Sequence, residues 1–103
     1  MRWCAIAGTG KRRIRRDMYI KDGKFILLSF DTEEFDVPRE SNVPWNTLEE
    51  GMEVSRFGTE RILDILKEKG VCATFFCTGN FAANAPMQMR RIMEEGHEVG
   101  CHG

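Results

Sequence analysis

Residues 26–36 read ILLSFDTEEFD. With Phe25 in front, the stretch opens as an apolar run over 25–30, broken only by Ser29. It closes in Asp31, Thr32, Glu33, Glu34 and Asp36. A short continuous apolar run bounded by polar residues is the pattern of a strand covered on both faces, as in a parallel sheet. Asp22-Gly23 supplies a turn ahead of it. The acids then stand at the carboxyl end of a buried strand, the rim where parallel α/β folds gather functional groups. Strand side chains alternate, so Asp31 and Glu33 face one side. Two adjacent carboxylates repel, and a divalent cation relieves that repulsion. The same letters also suit a solvated acidic loop, or a helix N-capped by Asp31 or Thr32.

The remaining chain supplies partners for that strand. Residues 37–51 hold Pro38, Asn42, Pro44, Asn46 and Gly51 and read as a loop. Residues 56–69 read as a helix, with Ile62, Leu63, Ile65 and Leu66 on one side and Glu60, Arg61, Asp64, Lys67 and Glu68 around the rest. Gly70 closes it. VCATFFC (71–77) reads as a second buried strand, ending in Cys77-Thr78-Gly79-Asn80, which can line a pocket but offers no strong acid or base. Pro86 suits a first helical turn, with Met89, Ile92 and Met93 as its apolar stripe and Gly96 as its stop. His97 is expected to cover that helix end. Residues 98–101 start a third strand, which ends at His102. The order strand, helix, strand, helix, strand implies a parallel sheet.

Bulk composition narrows the function classes. The 103 residues suffice for one small domain, and 42% hydrophobic with 30% charged residues is a globular composition. The net charge of -1 argues against a general polyanion binder, so no nucleic-acid partner is expected. That sum hides an asymmetry. Arg2, Lys11, Arg12, Arg13, Arg15 and Arg16 face Asp17 alone in residues 1–17, which leaves nine basic and fifteen acidic groups in the remainder. Residues 1–18 are therefore set apart as a basic extension that does not match the domain at 19–103. No apolar run is long enough for a membrane helix and no secretory h-region is present, so no membrane partner and a cytoplasmic location are expected. The four cysteines, at 4, 72, 77 and 101, lack CxxC spacing and read as small buried hydrophobes with free thiols.

Three stretches in order, LLSFDTEEFD, RILDILKEKGVCATFFCTGN and RRIMEEGHEVGCHG, resemble the polysaccharide deacetylase family, the NodB-homology domain of carbohydrate esterase family 4. ATFF and GHEVGCH are the most specific parts. The resemblance implies an α/β fold, an incomplete distorted (β/α) barrel present as a β-α-β-α-β fragment with parallel strands. It also implies a divalent metal ion, zinc first, with nickel, cobalt or manganese as others. The implied reaction is hydrolysis of a non-peptide carbon–nitrogen bond, the deacetylation of an acetylated carbohydrate or a related amide. The family's first motif is commonly Thr-Phe-Asp-Asp, a base followed by a metal ligand. Ser29-Phe30-Asp31 matches its beginning, which makes Asp31 the catalytic base candidate. Thr32 departs from the pattern, so Glu33 is taken as the acidic metal ligand, with Glu34 and Asp36 as alternatives. The second motif is His-Ser/Thr-x-x-His. His102 matches its first, metal-binding position, and Gly103 replaces the Ser or Thr. The second histidine is expected beyond Gly103, so the chain reads as the N-terminal portion of an enzyme, inactive by itself.

Two other readings use the same residues. A haloacid-dehalogenase-like phosphatase fragment would take Asp31 as its nucleophile. Phe35 then occupies a position usually held by Thr or Val, and GHEVGCH goes unexplained. A non-catalytic remnant would use exposed strand edges to bind a partner. Substrate identity and oligomeric state are left open by the sequence.

Overall fold

A computed structural model describes residues 26–35 and 47–103. The basic segment 1–18, the Asp22-Gly23 turn, Phe25, Asp36 and most of the expected loop lie outside these residues. The described elements are β1 (Ser29–Thr32), α1 (Leu48–Lys69), β2 (Thr74–Cys77), α2 (Gly79–Asn84), α3 (Pro86–Glu94) and β3 (Glu98–Cys101). The three strands form one parallel sheet in the order β1-β2-β3. On β2, Thr74 pairs with Ser29 of β1 and Glu98 of β3, Phe75 with Phe30 and Val99, Phe76 with Asp31 and Gly100, and Cys77 with Thr32 and Cys101.

Helix α1 starts eight residues earlier than the apolar periodicity predicts. Thr47 and Glu50 form a capping box: Thr47 Oγ1 accepts from the Glu50 N–H at 3.2 Å, and a Glu50 carboxylate oxygen accepts from the Thr47 N–H at 2.6 Å. Two orphan donors are satisfied at once, and Glu49 and Glu50 complement the helix dipole. Gly51, read as loop punctuation, is instead buried in the second turn. At the other end Gly70 adopts φ 65°, the left-handed conformation that costs glycine least.

Strand β1 is shifted toward the acids. It covers Ser29–Thr32 rather than residues 25–30, and Ile26 and Leu27 are 78% and 64% exposed. The expected cover on both faces is not present among the described residues. The partner strand explains the shift. The Val71 N–H is spent on Leu66 O at the end of α1 (2.9 Å), and the Ala73 N–H on His97 Nδ1 (3.2 Å). The ladder therefore begins only where the Thr74 N–H meets Leu28 O at 3.0 Å.

One face of the sheet carries the core. Phe75 and Cys77 pack there with Leu63, Leu66, Met52, Phe81 and Ile92 from the helices. Phe30 sets its ring against Phe75, centroids 5.3 Å apart. Full burial of side chains such as Phe75 and Leu63 contributes about 1.5–3 kcal/mol each. His97 belongs to this core rather than to a helix end. It is buried, its Nδ1 accepts a backbone N–H from β2's approach, and its ring stands edge-on to Phe75. The stripe of α3 is correct at Ile92, which is buried, and at Met89, which packs on the core, but Met93 is exposed.

Helix α2 has no counterpart in the sequence reading. Thr78 caps it by accepting from the Phe81 N–H at 3.0 Å, and Phe81 drives it into the core. Arg56 of α1 donates from Nε and Nη2 to Asn84 O, at 3.1 and 2.9 Å, covering its carboxyl end. The cysteines also differ from expectation. Cys77 is a buried free thiol, Cys101 is free but exposed, and Cys72 is disulfide-bonded. No helix among the described residues is long and apolar enough to cross a membrane.

Arg91 joins α3 to α1. Its guanidinium pairs with Glu95 at 2.6 Å, Asp64 at 2.6 Å and Glu60. These hydrogen bonds to carboxylates, Glu95 first, raise its pKa above the ordinary value. Asp64 is half exposed, so solvent screens part of this attraction. Replacing Arg91 with Met is expected to cost about 1–2 kcal/mol in a urea melt, and 1 M NaCl should shrink the difference from the parent. An unchanged midpoint would remove Arg91 from the forces joining the helices.

Candidate active site

The parallel register sorts the residues at the strand ends. Thr32, Phe75 and Cys77 point into the core. By alternation, Ser29, Asp31, Thr74, Phe76, Glu98 and Gly100 belong to the other face. Phe76 and Asp31 are exposed there. Continuing the alternation one step past each strand puts Glu33 and His102 on this same open face.

Two backbone bonds carry the ladder beyond the strands. The Thr78 N–H donates to Thr32 O at 3.0 Å, and the His102 N–H donates to Cys77 O at 2.9 Å. They hold Glu33 and His102 level across the sheet, although β2 lies between them. The result is direct proximity: His102 Nε2 stands 3.4 Å from a Glu33 carboxylate oxygen. That is long for a hydrogen bond. It matches the separation of two donors on one tetrahedral zinc, where bonds of about 2.0–2.1 Å put neighbouring ligands about 3.4 Å apart. The pair thus fits two corners of a metal site. Among the described residues no group of three or more His, Cys, Asp or Glu is assembled to hold a metal.

Asp31 precedes this pair on the same strand. An open cleft of about 340 Å³ runs along the outer edge of β1, lined by residues 29–33 and by Ser55, Gly58, Thr59 and Ile62 of α1. The small side chains of α1 keep the cleft wide beside Asp31 and Glu33. Both carboxylates are therefore open to solvent.

Glu34 turns the other way. One of its carboxylate oxygens accepts from Thr78 Oγ1 at 3.1 Å. A backbone N–H first, then Asn80 and Thr78, hold its pKa below the ordinary 4.5, against the opposing effect of burial. Glu34 therefore fastens the end of β1 to the start of α2. Of the three acids the sequence offers for the metal, the structure brings Glu33 to His102 and engages Glu34 elsewhere. Asp36 lies outside the described residues. Thr78 and Asn80, read as bland pocket lining, have this fastening role. A Thr three residues before a buried aromatic, Thr78 ahead of Phe81, is the legible signal of a capped turn.

A family model for polysaccharide deacetylase matches residues 20–103. The chain belongs to the polysaccharide deacetylase family. The family match leaves the phosphatase reading of Asp31 without support. Several curated relatives align with parts of the chain. The peptidoglycan-N-acetylmuramic acid deacetylase PdaA of Bacillus subtilis is 43% identical over 44 residues, 43% of this chain and 17% of the relative. A chitooligosaccharide deacetylase of Bradyrhizobium is 48% identical over 46 residues, 45% of this chain and 21% of the relative. An uncharacterized 30.6 kDa protein of Geobacillus stearothermophilus is 50% identical over 44 residues, 43% of this chain and 17% of that protein. The chain thus spans about a fifth of the length of the curated relatives it matches.

The Glu34 fastening has a pH signature. Its folded-state pKa is depressed, so its stabilisation is present above pH 4.5 and is lost as pH falls through the lower folded value. Glu34→Gln is expected to lower stability by about 1 kcal/mol at pH 7, solvent screening included. The gap between variant and parent should close in acid. A gap that stays constant from pH 7 to pH 3 would show that the carboxylate charge is not what holds α2.

Proposed function

We propose that this chain carries the base and two metal ligands of a metal-dependent deacetylase acting on an N-acetylated carbohydrate. The observation that supports it is the 3.4 Å approach of His102 Nε2 to Glu33, on the open face that also bears Asp31. Family membership supplies the reaction class, and the relatives' names supply acetylated glycans as the substrate class. In this reading the parallel sheet is the opening part of a distorted (β/α) barrel and the open face looks into it.

Glu33 and His102 would hold the cation, with zinc first among the candidates because carboxylate oxygen and imidazole nitrogen are both ordinary zinc donors. A divalent cation held by these two residues would supply Lewis acidity toward the acyl oxygen and water. Asp31 takes the proton of the attacking water, its carboxylate kept accessible by the cleft along β1. Glu34, the neighbour of Glu33, is fastened to Thr78 and so anchors the chain beside the proposed ligand. The family pattern asks for a second histidine as third donor and for a separate acid to protonate the leaving amine.

Tested in the full protein that carries this stretch, Asp31→Asn should lower kcat for acetate release from an N-acetylated glycan by about 10²–10⁴-fold while zinc still binds. Glu33→Gln and His102→Ala should each weaken zinc binding, by calorimetry, at least tenfold. Full zinc affinity in both of these variants would sink the metal assignment. Unimpaired turnover in Asp31→Asn would sink the base.

A further inference from the structure

Gly100 sits in the middle of β3, where glycine weakens a strand unless something requires it. Its backbone supplies no such reason, since the positive-φ glycines among the described residues are Gly70 and Gly96. Space does. A Cβ at position 100 would lie 2.5 Å from Phe76 Cδ1 and 2.6 Å from Cε1. The Phe76 ring is therefore laid across the β3 backbone, pressed on the one residue in register with it that has no side chain. On its other side Phe76 is in register with Asp31. A ring leaning toward β3 leaves Asp31 uncovered, and Asp31 is indeed exposed. The ring itself is 37% exposed on the open face. It thus separates the strand bearing Asp31 and Glu33 from the strand that ends, two residues past Gly100, in His102.

From this we infer that Phe76 is a positioning residue of the deacetylase site, and that glycine at position 100 is what admits it. The ring forms an apolar floor between base and imidazole, and its seat on Gly100 sets where β3 delivers His102 relative to Glu33. The inference rests on the metal reading above. It adds a residue that touches neither substrate nor cation and acts through the strand carrying the ligand. Adding a methyl at 100 must push the ring toward Asp31 or lift β3, because the clash is with a rigid ring edge rather than a flexible chain end.

The test uses Co(II) as the probe in the full protein, read by its visible absorption spectrum and by titration, with thermal melts alongside. Gly100→Ala and Phe76→Ala should each weaken Co(II) binding about tenfold and alter the spectrum. Phe76→Leu, which keeps an apolar floor without the ring edge, should stay within about threefold of the parent. The double variant Gly100→Ala with Phe76→Leu should bind better than Gly100→Ala alone, the non-additivity expected of residues in contact. If both single alanine variants melt earlier yet keep the parent's Co(II) affinity and spectrum, Phe76 is only packing and the inference falls while the metal reading stands. If the two losses simply add, the Gly100 seat is wrong. If the parent binds no Co(II), or binds it unchanged after His102→Ala, the metal reading fails and takes the inference with it.

Discussion

The site depends on a register. Asp31, Phe76 and Gly100 lie abreast across three parallel strands, and the Thr78→Thr32 and His102→Cys77 backbone bonds extend that alignment past the strand ends. A slip of one residue in either pairing would turn every side chain of the shifted strand to the opposite face. Glu33 would then point into the core, or His102 would stand beside Cys77. The core resists such a slip, because Phe75 and Cys77 on β2 are packed among Leu63, Phe81 and Ile92. The chemistry of the open face is thus fixed by packing on the closed one.

The same logic explains how two consecutive glutamates come to different uses. Alternation sends Glu33 and Glu34 to opposite sides of the chain as it leaves β1. Glu33 meets an imidazole, and Glu34 meets the hydroxyl of Thr78 and the amide of Asn80. Thr78 serves twice, since its hydroxyl also accepts from the Phe81 N–H to cap α2. The bend after β1 is therefore tied to the start of the next helix, and through Phe81 to the core. The hydrogen bonds that depress the Glu34 pKa are the same ones that tie β1 to α2.

Much of this was legible in the sequence, and the misses have specific causes. Apolar runs ending in polar clusters located β1 and β2, and β3 falls at the expected residues, after the Gly96 helix stop. The acids of β1 and the lone His102 were singled out by chemistry and by position at strand ends. Helix α1 was begun too late because Pro44, Asn46 and Gly51 outweighed Thr47 and Glu50, whose capping box is a local signal that periodicity does not register. Helix α2 was missed because six residues carry too little periodicity to detect. The start of β1 was misjudged for a tertiary reason. Apolar letters say that a segment can be buried, but the ladder begins only where β2 has donors left after the end of α1 and His97 take theirs.

The exposed residues of β1's approach follow from this. Ile26, Leu27 and Leu28 have the composition of an interior strand, yet they are exposed ahead of β1, the edge strand of the sheet among the described residues. Burying three such side chains would contribute on the order of 5 kcal/mol, a large share of the stability of a small domain. A sequence that places them there is written for neighbours on that edge and on the open face. The polar residues of that face make the complementary case. Thr74 and Glu98 satisfy each other at 2.9 Å toward one end of the strands, while Asp31, Glu33 and His102 gather at the other. Apolar residues at the edge ask for cover, and the paired polar groups on the face tolerate it. A surface with both properties is suited to become the lining of an enclosed site.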